Sequence, residues 1–393
     1  MTHTLTQRIH QVIDANRDRF VAVAREIWEN PELAFEEHRA AAALAEPLAD
    51  AGFAVETDVA GLPTAFRATW GTSGPTLAFL CEYDALKGIG HACGHNLIGG
   101  AGALAGWALR QAWPDMPGRI QVIGTPAEEE GGGKVIMVEK GIFADVDAAM
   151  MFHPTAGDTV VHRGALACQD MRLAFHGKPS HAAAGPWKGV NALDAMIQTF
   201  AAVGLLRQQL RPDARVHGII TNGGTAVNVI PELTKAEFLV RAADVAYLRE
   251  IKEKVQNCAR AGALATGCTV DFSEGLLYAN RVNNLVMARR FQRHLEAMGL
   301  NVSEPDPNAG IGSSDVGNVS YVCPTIHPYV AIASKGVNGH SHEFREAAGS
   351  PAGFDAMVHA AKALALLAAD LLAEPDLLEA AKQEFRRTVQ GAG

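Results

Sequence analysis

The run Thr76-Leu-Ala-Phe-Leu-Cys81 is followed by the loop Glu82-Tyr-Asp-Ala-Leu86, then by Gly90-His-Ala-Cys-Gly-His-Asn96 and a Gly/Ala-rich stretch. The order is apolar strand, polar loop, helix. Two further apolar runs, Arg119-Ile-Gln-Val-Ile-Gly124 and Val146-Asp-Ala-Ala-Met-Met-Phe152, repeat it, as strands buried on both faces require. Helical stretches at about 97–112 and 134–141 separate the three, and amphipathic helices at about 4–29 and 37–52 precede them. This pattern predicts an α/β sheet covered by helices.

Beyond about residue 166 the pattern changes. Strand 166–176, helix 190–210, strands 214–221 and 234–241, helix 245–264 and strand 268–273 follow in the β-α-β-β-α-β order of a ferredoxin-like domain. From about 281 the α/β pattern resumes with a helix at 283–298, a strand at 326–333 and a long helix opened by Ser350-Pro351, a cap and first-turn pair. The expected organisation is therefore a larger domain built from 1–165 and 281–393, with a smaller domain, 166–280, inserted into it.

A chain of 393 residues with 48% hydrophobic content exceeds what one core usually holds. The formal charge of −9 arises from interspersed acids and bases, which argues against nucleic acid as the partner and leaves small metabolites open. The N-terminus lacks the apolar run of a signal peptide. The Ala/Leu-rich stretches read as too short or too interrupted to span a bilayer, so no membrane role is expected. Six cysteines, at 81, 93, 168, 258, 268 and 323, lack disulfide-framework spacing, and a reducing, cytoplasmic setting is expected.

The chemistry gathers in four places. In an extended loop, residues two apart share a side, so Cys93 with His95, or His91 with Cys93, would present a thiolate and an imidazole to one ion; the bland reading is a buried cysteine beside capping histidines. Thr125-Pro-Ala-Glu-Glu-Glu-Gly-Gly-Gly-Lys134 follows an apolar strand. Read as extended, it turns one glutamate to a metal and its neighbour to the bound water as base, unless it is only an acidic loop ahead of a helix. His153 ends the third strand, and Asn338-Gly-His-Ser-His-Glu-Phe344 offers two more histidines. Cys93, the glutamates and His153 all fall at the same end of successive strands, where open α/β sheets build their sites.

Together these residues resemble the aminoacylase and carboxypeptidase-G type metallopeptidases, in the amidohydrolase branch with auxin-conjugate, hippurate and p-aminobenzoyl-glutamate hydrolases and related dipeptidases. The resemblance runs from about residue 18 to 372. Its matches are Gly90–Asn96, Thr125–Glu129, Gly177-Lys-Pro-Ser-His-Ala-Ala183 and Asn228-Val-Ile-Pro231, with His340-Ser-His-Glu-Phe344 weaker. It implies a zinc-peptidase-like catalytic domain carrying an inserted ferredoxin-like lid and dimerisation domain, and a homodimer or higher homo-oligomer formed through that insert.

Position by position, the resemblance makes Cys93, His95, Glu129, His153 and His340 metal ligands and Glu128 the general base. His181 matches a lid histidine that touches the scissile carbonyl, often across subunits; Asn228 and Arg241 match positions that hold substrate oxygens. Asn96 and His342 stand where many members of the branch carry Asp and Pro, which makes His342 a rival to His340 as a ligand. Asp84 either orients a ligand or caps its loop. The implied cofactor is a pair of divalent ions, Mn²⁺ or Zn²⁺. The implied reaction is attack of a metal-activated water on the amide of an N-acyl amino acid, an aminobenzoyl-glutamate-like conjugate or a dipeptide. Alternatives are another C–N bond on the same dinuclear site, a Cys93 nucleophile, and a non-catalytic metal-dependent binding or regulatory subunit.

Overall fold

The computed structural model describes residues 3–306 and 311–391. The chain divides into two compact units, one comprising the residues up to Gly164 with Arg281–Gly391, the other Ala165–Asn280.

The larger unit opens with α1 (His3–Glu29) and α2 (His38–Asp50), followed by β1 (Ala54–Thr57), β2 (Phe66–Trp70), β3 (Thr76–Cys81), α3 (His95–Ala112), β4 (Arg119–Gly124), α4 (Gly133–Glu139), β5 (Ala148–Met150) and β6 (His153–Ala156). In the six-stranded sheet β4 and β5 flank β3 and run parallel to it, while β1 and β2 form an antiparallel edge. The chain leaves β3 for β4 on one side and then crosses to β5 on the other. The carboxyl end of β3 is thus a topological switch point, the place where such sheets open a crevice. All six residues of β3 are buried. Glycines let α3 lie close upon β3 and β4: a Cβ on Gly102 would stand 2.6 Å from Cys81 Sγ of β3, and one on Gly106 2.3 Å from Val122 Cγ2 of β4.

The smaller unit contains β7 (Ala167–His176), α5 (Ala192–Leu206), β8 (Arg215–Asn222), β9 (Leu233–Ala242), α6 (Val245–Thr266) and β10 (Thr269–Glu274). Its antiparallel sheet has the order β10-β7-β9-β8, the ferredoxin-like arrangement. Caps fix the helix starts: Asn191 accepts from Leu193 N–H and Asp244 from Tyr247 N–H. Gly267 at φ 76° ends α6 in the left-handed conformation. Alternate residues Met171, Leu173 and Phe175 of β7 and Phe238 and Val240 of β9 form the core with Leu248, Ile251 and Val255 of α6.

The chain then completes the larger unit with α7 (Leu285–Ala297), α8 (Val316–Val319), β11 (Thr325–Ile326), β12 (Tyr329–Ala333), α9 (His342–Ala348), α10 (Pro351–Ala373) and α11 (Pro375–Gly391). The single strand expected over 326–333 is broken at His327-Pro328: β11 extends the main sheet beside β5, and β12 pairs with β6 in a separate two-stranded ribbon. Proline has no N–H to continue a ladder. The expectation that no stretch could span a bilayer also needs correction, because α10 is long and apolar enough by length and composition. Most of it is buried in the core of this unit, which accounts for its apolar character without a membrane.

Candidate metal centre

The loop leaving β3 delivers the first ligands. Gly94 adopts φ 80° ahead of α3, so the chain turns left-handed between Cys93 and His95, a conformation glycine takes without a Cβ clash. His95 Nδ1 lies 2.9 Å from Asp84 Oδ1 and 3.0 Å from the Asp84 carbonyl oxygen. Both are acceptors, so Nδ1 carries a hydrogen and Nε2 is the ring atom turned toward the site. That Nε2 is buried and has no hydrogen-bond partner. His153 repeats the logic from β6: its Nδ1 donates to the Pro154 carbonyl at 2.7 Å, and its Nε2 faces Cys93 Sγ at 3.4 Å.

The loop leaving β4 supplies the carboxylates. Glu129 donates its backbone N–H to Asp84 Oδ2 at 2.9 Å, so Asp84 braces both His95 and this turn. Glu129 Oε1 lies 3.8 Å from His95 Nε2 and 3.4 Å from His340 Nε2, and Glu128 Oε2 is also 3.8 Å from His95 Nε2. His340 is set by a left-handed φ of 59° and a bond from its N–H to the Ala92 carbonyl. Donor atoms fall into mutually close groups: Cys93, His95 and His153; Cys93, Glu129 and His340; His95, Glu128 and Glu129. All five residues singled out as ligands, and Glu128, are therefore brought to one place.

Two geometric expectations are corrected. Residues 128–130 form a turn rather than an extended segment, entered through Ala127 at φ 61° and left through Gly131 and Gly132 at φ 126° and 62°. Close packing requires it, since a Cβ on Gly133 would stand 1.9 Å from the Pro126 carbonyl oxygen. Likewise Cys93 and His95 meet through the Gly94 turn, not through strand alternation. His342 is the exposed first residue of α9, capped by Ser341, and belongs to none of these groups among the described residues. His91 is buried apart from them, and burial pushes its imidazole down to about 3.

The two glutamates are pushed in opposite directions. Burial, then the charges of Glu82, Asp315 and Glu129, raise the Glu128 carboxyl well above its ordinary value. For Glu129 burial opposes ionisation, but the His340 hydrogen bond and the His95 charge hold it low. Neighbouring carboxyls separated in this way suit different tasks, one accepting a proton and one staying anionic. A cleft of about 520 Å³ opens beside the group, lined by Cys93, His153, Arg163, Tyr329, Asn338 and His340.

Sequence reasoning gave no role to Glu82, Lys134 or Asp315. Lys134 Nζ lies 2.6 Å from Glu82 Oε1 and 2.8 Å from Asp315 Oδ1, all three fully enclosed. Two signals were present. An acid directly follows a wholly apolar strand, and a lysine occupies the first turn of α4, where the helix dipole disfavours a cation.

In the smaller unit, His181 and Asn228 lie together: His181 bridges Val229, and Ala182 N–H donates to the Asn228 carbonyl. His181 Nδ1 accepts from the N–H groups of Ala183 and Ala184, which places the neutral ring's hydrogen on Nε2 as a donor. Arg241 is not brought to them. It sits near the far end of β9, paired in register with Cys168, whereas His181 and Asn228 adjoin the end marked by the His176–Leu233 pair. Eight residues of strand separate the two ends, roughly 26 Å.

Residues 162–266 match the family model described as a peptidase dimerisation domain. The chain is 43% identical to the mouse Xaa-Arg dipeptidase, over 98% of its own length and 93% of the relative's. It is 30% identical to one of the subunits of the p-aminobenzoyl-glutamate hydrolase of Escherichia coli, over 96% and 94%. A Bacillus subtilis dinuclear metal-binding peptidase of the M20 family shares the fold at a TM-score of 0.70 and 20% identity, covering 90% of this chain and 98% of that one. By its identity along nearly the whole length of these relatives, and by a site that gathers one thiol, three imidazoles and paired glutamates, this chain belongs to the M20 family of metal-dependent peptidases and amidohydrolases.

Proposed function

We propose that this protein is a dinuclear dipeptidase that releases a basic C-terminal amino acid, with its ions held by Cys93, His95, Glu129, His153 and His340. The observation that carries the metal assignment is the fixed tautomers: His95 and His153 each spend Nδ1–H on an internal acceptor and turn Nε2 to the same thiol-bearing group. Cys93, His95 and Glu129 each belong to two of the donor groups, which supports a centre that would hold two ions rather than one. A mixed sulfur, nitrogen and oxygen shell accepts zinc, and its carboxylate and imidazole share suits manganese. The dipeptide reading is supported by the identity to the Xaa-Arg dipeptidase along nearly all of both chains.

When bound, the ions would polarise the amide carbonyl and bring a water's pKa toward neutrality. Glu128, ionised before attack and in surroundings that then favour its gaining a proton, takes the proton from the attacking water and returns it to the departing amine. His181, with its hydrogen on Nε2, serves as a donor to the oxygen that gains charge on the scissile carbonyl. The span between His181 and Arg241 supports their serving different substrate molecules, His181 together with Asn228 and Arg241 apart from them. β8 is the edge strand of its sheet and exposes Ile219 and Ile220, and the neighbouring helix α5 exposes Ile197 and Leu205; we place the homodimer contact there. Six free thiols, Cys93 among them, suit the reducing cytoplasm.

The test is protein stripped of metal, reloaded with Mn²⁺ or Zn²⁺, and offered Xaa-Arg and Xaa-Lys dipeptides, p-aminobenzoyl-glutamate and N-acetyl amino acids. Turnover highest on the basic dipeptides is expected. Preference for p-aminobenzoyl-glutamate would overturn the substrate assignment, and no turnover on any, with metal bound and the fold intact, would overturn the enzyme reading.

A further inference from the structure

Beside the candidate metal centre lies a further donor group, made of carboxylates alone, of which the reaction uses only Glu128. Oxygens of Glu82, Glu128 and Asp315 all fall within 4.8 Å of one another, a set of hard donors that would by itself suit a divalent cation. The space already holds a cation. Lys134 is fully buried, and its ammonium lies 2.6 Å from Glu82 and 2.8 Å from Asp315. Asp315 grips this residue twice, because its other oxygen accepts the Lys134 backbone N–H at 2.9 Å. The ammonium is thereby fixed to the start of α4. Both burial and the helix dipole oppose a cation there, so its presence depends on the two acids.

The consequence reaches the reacting groups through Glu82. One of its oxygens is held by Lys134, while the other stops 3.6 Å from His95 Nε2, at the margin of the metal site. Released from the ammonium, Glu82 would be a further anionic ligand, and with Asp315 and Glu128 would complete an oxygen cage. A Glu128 captured in that cage is no longer available to move a proton.

We propose that Lys134 is a positioning residue, a built-in cation that fills this carboxylate cluster, keeps metal out of it and so leaves Glu128 free as the base. This rests on the reading of Glu128 given above. The ammonium does so without exchanging, since its tether keeps it in place when free metal is scarce or abundant.

The experiment compares Lys134→Met with wild-type full-length protein, measuring metal content after equilibration with Mn²⁺ or Zn²⁺ and removal of loosely bound ions, together with kcat and KM. One additional ion per chain is expected, with kcat lowered by about tenfold or more and KM within about twofold. A metal content equal to wild type, or a wild-type kcat, would overturn the proposal. If Lys134→Met fails to fold, Lys134→Gln, whose uncharged amide can still donate to Glu82 or Asp315, is measured in its place. The same additional ion and the same loss of kcat at preserved KM are expected, and a wild-type metal content or a wild-type kcat would overturn the proposal. Metal content is read whether or not any substrate turns over, so a failure of the substrate or base assignment stays distinguishable from a failure of this one.

Discussion

Replacing Asp84 by Asn isolates the brace beneath the metal centre. In the wild-type protein the enclosed carboxylate accepts from His95 Nδ1 through one oxygen and from the Glu129 N–H through the other, both at 2.9 Å. An amide has one acceptor and one donor end, so one of these two N–H groups must face an NH₂. If the NH₂ faces His95, the ring is driven to the Nε2–H tautomer, which cannot bind metal. If it faces Glu129, the Glu128–Glu129 turn loses its anchor. A charge-assisted hydrogen bond is worth about 1.5–3 kcal/mol, and an orphaned buried donor costs about 1–3 kcal/mol more. The expected loss in the metal-free protein is therefore about 2.5–6 kcal/mol. The Asp84 carbonyl also accepts from His95 Nδ1, at 3.0 Å, and this spare acceptor favours the low end. Metal affinity should fall by about 10–100-fold, as for other partners that orient a ligating imidazole. Urea unfolding of the apo protein and competition with a chelator measure the two quantities. Lowered stability with metal affinity within about twofold of wild type would reduce Asp84 to a loop brace and refute its role in setting the tautomer.

The remaining tests separate neighbouring residues. Glu128→Gln should retain metal and lose activity by about 10²-fold or more, whereas Glu129→Ala should lose metal; equal metal content and equal activity in the two variants would sink the division of labour. His340→Ala should weaken metal binding and His342→Ala leave it unchanged, and the reverse pattern in a chelator titration would move the ligand to α9. His181→Ala should lower kcat by about 10²-fold, the scale of losing one oxyanion donor, at constant metal occupancy, and depleted metal would mean the residue acts elsewhere. Away from the site, burial and then the Lys362 charge lower the pKa values of both His10 and His359 below 6.5. These imidazoles are neutral in the fold, so they add stability that is present above pH 6.5 and is lost as the pH falls below it. His10→Gln with His359→Gln should therefore show a smaller drop in melting temperature between pH 7.5 and 5.5 than wild type, and an identical drop would refute the assignment.

What could be read from the sequence followed how locally each feature is specified. The three parallel strands are continuous apolar runs, and each delivers its polar loop to the same end of the sheet, so Cys93, Glu129 and His153 could be grouped before any distance was known. The inserted unit was legible because its helices carry their own start signals at Asn191 and Asp244. By contrast β1 and β2 escaped: Ala54-Val-Glu-Thr57 is almost wholly exposed and Phe66-Arg-Ala-Thr-Trp70 only partly buried, so neither reads as a core strand. The turns at Gly94 and Ala127 were mistaken for extended chain, because a left-handed residue is chosen by packing that lies elsewhere, such as Pro126 against Gly133. Lys134 and Asp315 stand 181 positions apart, and nothing in either neighbourhood announces the other. The length and apolarity of α10 are shared by core helices and membrane spans alike, and burial distinguishes them only in the fold.

The charge arrangement explains why the centre needs metal at all. Glu82, Asp84, Glu128, Glu129 and Asp315 are gathered around His95, and the fixed cation among them is Lys134. Burying several carboxylates against one ammonium is unfavourable unless protons or cations answer the rest. Protons answer part of it, as the raised Glu128 carboxyl indicates, but a permanently protonated base would be useless to the reaction. Divalent ions held by Cys93, His95, Glu129, His153 and His340 would add positive charge to the cluster, lowering the tendency of Glu128 to hold its proton in the resting state. With the tethered ammonium at Glu82 and Asp315 and the metal charge together, the Glu128 carboxylate would be anionic before attack and protonated after it. That placement follows from two strand ends, one left-handed glycine and one lysine on the wrong end of a helix.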